Sequence, residues 1–226
     1  MNPGNRNVVV MLWVIFTVLG SAIGLFFGAM AGERLGFSLG ESMEGYVQDM
    51  IASFPSGYLP NMVAGFIYGT VSGFFPGILQ WLGVLRSQFK HSSIWIFLNM
   101  FGMAFAFSLN SGVYAFLNSL VSDALVVDFV YMVINGLLTG FIMGLLQWIF
   151  FSRKHAKAFW WLILNIVGWS TLSFIGFLGL MLGAFFWAVE LTYIVIDSIG
   201  FAIFTGIALY ITFPQTIQET EGITTN

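Results

Sequence analysis

The chain has 226 residues, of which 58% are apolar and only 8% are charged, and 26 are phenylalanine. Soluble domains carry charge on roughly a quarter of their residues, so this composition is typical of a chain embedded in a bilayer. The formal net charge of -3 comes without a basic patch, which excludes nucleic acid as a partner, and the absence of cysteine excludes disulfides and thiolate metal sites.

Apolar runs predict six membrane-spanning helices, because about 20 residues cross the hydrocarbon core. The predicted spans cover residues 8–30, 59–85, 93–117, 127–151, 159–182 and 191–213. The polar stretch 31–58 is predicted to be an outer loop with a short interfacial helix over residues 42–54, and the tail 214–226 is expected outside the bilayer. The sequence therefore predicts one all-α domain over residues 1–226, an integral membrane six-helix bundle.

Glycines recur every fourth residue in three of these spans. The first span has Gly20, Gly24, Gly28 and Gly32, the second has Gly65, Gly69, Gly73 and Gly77, and the fourth has Gly136, Gly140 and Gly144. A step of four residues turns about 400° on an α-helix, so each set forms one groove without side chains. We expect these grooves to pack helices, or, if one faces outward, to bind a partner helix or a flat apolar ligand such as lipid, quinone or carotenoid. The first-span glycines are the best candidates for an outward groove.

Further residues repeat along the chain. Gln80-Trp81 follows the second-span glycines and Gln147-Trp148 follows the fourth, 67 residues later. The spacing Trp-x6-Gly occurs at Trp13, Trp95 and Trp161, and Ser72-Gly73, Thr139-Gly140 and Thr205-Gly206 occupy matching places. These patterns predict three tandem two-helix hairpin repeats, with the third set of glycines decayed to Ala202, Gly206 and Tyr210. Such repeats insert the same way up, around a pseudo-threefold axis if they close into a ring.

Charge predicts the orientation of the chain. Six of the seven Lys and Arg residues lie at the N-terminus or in two short connectors, and Arg34 alone lies on the other side. By the positive-inside rule both termini are cytoplasmic, and we expect a bacterial inner membrane.

A few polar side chains fall within the apolar spans. Gln80, Gln147, Asn99 and Asn165 are candidates for interhelical hydrogen bonds, or alternatively for a polar path along the axis. Glu190 is predicted at the outer interface, and Asp197 lies about 10 Å deeper if both share one helix. Asp197 is the best candidate for a cation or proton site, although no basic residue or second deep carboxylate is available to pair with it.

Residues for most other chemistry are missing. Both histidines, His91 and His155, fall in the predicted cytoplasmic connectors, so histidine-ligated haem or bacteriochlorophyll is not expected. The sequence contains no nucleotide-binding, zincin or serine-nucleophile motif, which predicts neither a catalytic residue nor a metal site.

Two segments carry a resemblance to other proteins: GFFPGILQWLGVLR and GFIMGLLQWIFFSR, each followed by a short basic turn and a tryptophan-rich helix. They look similar to a group of poorly characterised bacterial multispanning membrane proteins with repeated G-x3-G-x2-Q-W segments. The likeness covers about Gly65 to Gly168. It implies a multispanning membrane architecture and brings no established activity.

Three functions follow as hypotheses. The first is a non-catalytic accessory or assembly subunit of a larger membrane complex, with membrane lipids and other subunits as partners. The second is a small transporter, or a substrate-binding transport component, with a polar path through the bundle. The third, with the least support, is a membrane enzyme that acts on lipids through Asp197 and Glu190.

Overall fold

A computed structural model of the chain describes residues 3–51, 55–88, 92–152, 155–181 and 186–212, and these residues form helices and no strand. The helices are α1 (Pro3–Ala31), α2 (Phe37–Met50), α3 (Tyr58–Gln80), α4 (Arg86–Gln88), α5 (Ile94–Leu120), α6 (Ala124–Ser152), α7 (Phe159–Met181) and α8 (Phe186–Thr212). Five helical segments in the described residues are long and apolar enough to cross a membrane, and within α8 residues Ser198–Thr212 form a shorter apolar helix. These segments indicate a membrane protein.

The long helices form a closed ring. Going around it, α1 packs on α3, α3 on α5, α5 on α6, α6 on α7, α7 on α8, and α8 packs back on α1. Helices α3, α5, α6 and α7 lie close to the predicted spans, whereas α8 begins at Phe186, several residues before the predicted position 191. The tail 214–226 lies outside the described residues.

The glycines of α3 and α6 bring neighbouring backbones together. A Cβ atom on Gly65 would lie 2.5 Å from the carbonyl oxygen of Phe107, in α5. A Cβ atom on Gly136 would lie 2.6 Å from the Cα of Ser170, in α7. The other predicted groove glycines of these two helices make the same kind of approach: Gly69, Gly73 and Gly77 to α5, and Gly140 and Gly144 to α7. Each set therefore packs on the helix that follows it in the chain.

The glycines of α1 also face a neighbouring helix and do not form an outward groove. A Cβ atom on Gly20 would lie 2.5 Å from the Cα of Pro76, and Gly24 and Gly28 lie against Ser72 in α3. The series continues past its predicted end, because Gly36 lies against Ala64 and Gly40 against Pro60. All three sets of glycines are thus used inside the ring.

The predicted outer loop over residues 31–58 is instead largely helical. Helix α1 runs into a π-helical turn, Gly32–Gly36, and on through α2 to Met50. Five steps of four residues would carry the glycine series about 200° around a straight α-helix, and the extra residue of a π turn takes back about 100°. The π turn therefore takes back about half of this drift, and Gly36 and Gly40 still lie against α3. Charged residues and glycine predicted a loop here, but the glycines serve helix packing.

The start of α3 is tied to α2 by a buried carboxylate. Glu44 is 6% exposed, and its Oε1 accepts hydrogen bonds from the backbone N–H of Gly57 at 2.5 Å and from Gln48 Nε2 at 3.1 Å. Gly57 has φ +86°, a left-handed conformation that suits glycine, and it immediately precedes α3. This turn lets α3 return along α2. The helix predicted over 42–54 ends at Met50 in the structure, and residues 52–54 lie outside the described ranges.

The glycine packing predicts a large position-dependent cost of added side chains. Gly140→Leu would force a branched side chain against Ile166 Cα, 2.6 Å from the ideal Cβ position, whereas Gly45 in α2 has nothing within 4 Å. We expect Gly140→Leu to lower the free energy of unfolding by about 3 kcal/mol through overpacking. Gly45→Leu should change it little. Thermal unfolding of both variants in the same detergent checks this, and equal unfolding temperatures would contradict the packing described.

Candidate functional site

Three tryptophans from different helices meet inside one end of the ring. Trp13 of α1, Trp95 of α5 and Trp161 of α7 are each 0% exposed. Their ring centroids are 5.6 Å (Trp13 to Trp95), 5.7 Å (Trp13 to Trp161) and 6.0 Å (Trp95 to Trp161) apart, and all three pairs meet edge to face. This geometry is favourable for indole rings, and it fills the space between the three helices. We call these residues the tryptophan cluster.

Each indole N–H of the cluster donates a hydrogen bond to a neighbouring helix. Trp95 Nε1 donates to Gln80 Oε1 of α3 at 2.7 Å, and Trp161 Nε1 donates to Gln147 Oε1 of α6. Trp13 Nε1 donates to Thr205 Oγ1 of α8 at 3.1 Å. All three N–H groups are satisfied, which a buried indole requires.

The two glutamines complete bridges between three helices. Gln80 Nε2 donates to Thr17 Oγ1 of α1 at 2.8 Å, so this amide joins α3 to both α5 and α1. Gln147 Nε2 donates to Asn99 Oδ1 of α5 at 3.4 Å and joins α6 to both α7 and α5. The accepting positions are equivalent, since Thr17 and Asn99 each lie four residues after their tryptophan.

Helix α8, which packs beside Trp13, aligns with α3 and α6 in a different register from the one predicted. Gly77 lies against Ile96, the residue after Trp95, and Gly144 lies against Leu162, the residue after Trp161. On α8 it is Gly206 that lies against Val14, the residue after Trp13. Contacts therefore align Gly206 with Gly77 and Gly144. The predicted match of Gly206 with Gly73 and Gly140 is wrong by one helical turn.

In this register Leu209 takes the place of the two glutamines. Leu209 is 0% exposed and carries no amide to bridge α1 and α7. Trp13 bonds Thr205, one turn away on α8, and Asn165 Oδ1 is buried without a hydrogen-bond partner. Asn165 lies four residues after Trp161, the position at which Thr17 and Asn99 accept from the glutamines. The missing amide at Leu209 therefore explains why the Asn165 oxygen is unpaired.

A second polar group lies between α5, α6 and α7, and the sequence analysis did not single it out. Asn110 Nδ2 donates to Asn135 Oδ1 at 2.6 Å and to Thr139 Oγ1 at 2.8 Å, and Asn135 Nδ2 donates to Ser173 Oγ at 3.2 Å. Two asparagines inside apolar spans are the signal that could have found it. Their contacts required knowledge of which helix faces which.

The two acidic candidates, Asp197 and Glu190, lie in α8, and their side chains are outside the described part of the structure. The backbone places Asp197 twelve residues before Leu209, which is also the separation of Asn135 from Gln147 and of Tyr68 from Gln80. These three residues therefore stand at about the same level of the ring. Glu190 lies two turns nearer the other end of α8.

Comparison with protein-family models, with curated proteins and with solved structures finds no match to this chain. The geometry alone must therefore indicate what the site can do. The side chains of Gln80, Gln147 and Asn99 already form hydrogen bonds with neighbouring helices. The tryptophan cluster fills the inside of the ring at the same level. Such an arrangement locks helices together, and a solute could pass this level only if the indole rings moved.

The unpaired Asn165 oxygen predicts a stabilising substitution. In Leu209→Gln a side chain of similar size would reach both Asn165 Oδ1 and the Trp13 N–H, as Gln80 and Gln147 reach their partners. We expect the variant to unfold at a higher temperature, with a gain of about 1 kcal/mol. Leu209→Met, which has no amide, should bring no gain. In an Asn165→Ala background the benefit of Leu209→Gln should shrink, and an undiminished benefit would contradict the proposed bridge.

Proposed function

We propose that the protein is a non-catalytic integral membrane protein with six spans, built from three tandem two-helix hairpins, that serves as an accessory or assembly subunit of a larger membrane complex. Five long apolar helices support the membrane location. The matching contacts of Gly77, Gly144 and Gly206 support the repeat. The ring uses its own glycine grooves and core amides internally, so the surfaces left for a partner lie on its outside.

We further propose that both termini face the cytoplasm of a bacterial cell, with the protein in the inner membrane. Arg6, Arg86 and Lys157 belong to the end of the ring that holds the tryptophan cluster. Glu33, Asp123 and Asp128 belong to the other end. This charge asymmetry supports the orientation by the positive-inside rule.

The observation that carries the assembly role is the length of the first helical segment. The helical segment that begins at Arg6 continues without a break to Met50 and is 45 residues long. At 1.5 Å per residue it is about 68 Å long, against about 30 Å of hydrocarbon. Its second half, which includes α2, therefore extends beyond the bilayer on the side opposite the termini.

This extension is apolar on the face that its own chain leaves uncovered. Gly36, Gly40 and Glu44 are buried on the α3 side. The neighbouring face, about 100° further around the helix, exposes five large apolar side chains at spacings of four, four, three and four residues, namely Leu35, Leu39, Met43, Tyr46 and Met50. Tyr46 is 74% exposed and Met50 is 78% exposed. We call these five residues the α2 stripe.

A partner subunit accounts for the α2 stripe better than lipid does. Apolar side chains of α1 such as Met11 and Ile15 are exposed within the span and face hydrocarbon. The α2 stripe lies beyond Glu33 and Arg34, where the helix leaves the apolar region, and Glu41 and Asp49 accompany it. An apolar helix face in an aqueous or interfacial setting is stabilised when another apolar surface covers it. The occupant we propose is an apolar helix of a membrane-protein partner.

Site-directed photocrosslinking in cells tests this assignment. A photoreactive phenylalanine analogue replaces Tyr46 in one variant and Phe97 in another, because Phe97 is 55% exposed on α5 within the apolar span. We expect the Tyr46 variant to give one discrete protein adduct and the Phe97 variant to give lipid adducts.

Paired substitutions inside and outside the α2 stripe provide the control. Leu39→Ser with Met43→Ser should abolish the protein adduct at position 46, whereas Met11→Ser with Ile15→Ser should leave it unchanged. If position 46 yields only lipid adducts, α2 lies on the membrane surface and the assembly role loses its support. A protein adduct that persists in the Leu39→Ser, Met43→Ser variant would also count against the stripe.

A further inference from the structure

A cavity of about 150 Å³ lies inside the ring, farther from the termini than the tryptophan cluster. Five helices contribute to its wall, including side chains of Leu25, Tyr68, Phe107, Asn135, Trp169 and Ser173. None of the described lining residues carries a charge. The wall thus combines aromatic rings with a few uncharged polar groups, the usual composition of a small-molecule site.

The wall of the cavity includes a tryptophan whose indole N–H has no acceptor. Trp169 is 7% exposed, and its Nε1 is buried without a hydrogen-bond partner. Two other polar residues in the wall are hydrogen-bonded, because Asn135 Nδ2 donates to Ser173 Oγ and Asn135 Oδ1 accepts from Asn110. An indole N–H can only donate, so the group that would satisfy it must offer a lone pair.

An apolar groove lies beside the cavity on the outside of the ring. It has a volume of about 190 Å³ and runs between α6 and α7, with Phe129, Val133, Leu137 and Phe174 exposed along it. Met132 lines both the groove and the inner cavity. Methionine is flexible and unbranched, so a rotation of this one side chain can connect the two spaces.

We propose that the inner cavity binds the head of a prenylquinone-type lipid, an uncharged ring bearing carbonyl oxygens, with the isoprenoid tail in the groove between α6 and α7. A ring carbonyl accepts the Trp169 N–H, and Tyr68 and Phe107 pack against the ring. A cavity of about 150 Å³ is large enough for one six-membered ring. The described part of the wall carries no charge that would compensate the desolvation of a charged headgroup. This site is independent of the assembly role proposed for the α2 stripe.

Calorimetric titration of the full chain in nanodiscs tests the site, with a benzoquinone that carries one isoprene unit as the probe and protein-free nanodiscs as the blank. We expect saturable binding. Trp169→Phe keeps the ring and removes the donor, and it should weaken binding about tenfold. Trp160→Phe, a change of the same kind at an exposed position of α7, should leave the affinity unchanged. A probe with a phenyl ring in place of the quinone should bind the wild-type protein about tenfold more weakly.

Filling the cavity separates this site from binding elsewhere. Ser173→Leu should abolish binding, whereas Thr171→Leu on the exposed face of the same helix should retain it. Equal helical circular dichroism of the two variants shows that both fold, and Trp169→Phe tests the site if Ser173→Leu does not. Binding that survives Ser173→Leu and Trp169→Phe, or an absence of saturable heat with the wild-type protein, would overturn the proposal.

Discussion

The close approach of helix backbones at glycine is the constraint on which the rest of this structure depends. Hydrocarbon gives apolar helices no hydrophobic reason to associate, so dispersion and hydrogen bonding must hold them together, and both fall off steeply with distance. With Cβ positions as near as 2.6 Å to the opposite backbone at Gly136 and Gly140, the α6–α7 pair has no room for any larger residue. The same spacing along α1 holds it to α3, so close glycine contacts join α1, α3 and α5 in one group and α6 and α7 in another.

The tryptophan cluster shows how the ring is held at one end. Two glutamines each link three helices through one amide. In each, the amide nitrogen donates to one neighbouring helix and the amide oxygen accepts from the other. The third link, where Leu209 stands, has one Trp–Thr hydrogen bond, apolar packing and the Arg6 guanidinium over the Tyr210 ring. The third link therefore lacks the bridging amide that the other two have.

Much of this arrangement could be predicted from the sequence, and the remainder failed for identifiable reasons. Glycine and tryptophan spacing located the packing faces and the residues Gln80 and Gln147, because both depend on helical period. It could not say which helix each face meets, and the α1 glycines, which were the candidates for an outward groove, pack on α3. The helix through residues 31–50 was missed because the charged residues Glu33 and Arg34 favoured a loop. The four-residue glycine spacing, which continues from Gly32 to Gly36 and Gly40, indicated a helix. The predicted alignment of α8 with α3 and α6 was off by one turn because Thr205-Gly206 resembles Thr139-Gly140 in sequence. Only the contacts show that Gly206 corresponds to Gly77 and Gly144.

The position of the inner cavity follows from the same register. Twelve residues after the cluster tryptophans Trp13, Trp95 and Trp161, the corresponding positions are Leu25, Phe107 and Ser173. Three indoles fill the middle of the ring at the level of the tryptophan cluster. Twelve residues farther along the helices, Leu25, Phe107 and Ser173 have too little combined volume to fill the same space. The unfilled volume lies where Ser173 and Asn135 stand, in contact with the unpaired Trp169. A ring of this size thus leaves space wherever its three inward positions are not all large, and here the space coincides with a donor that lacks an acceptor.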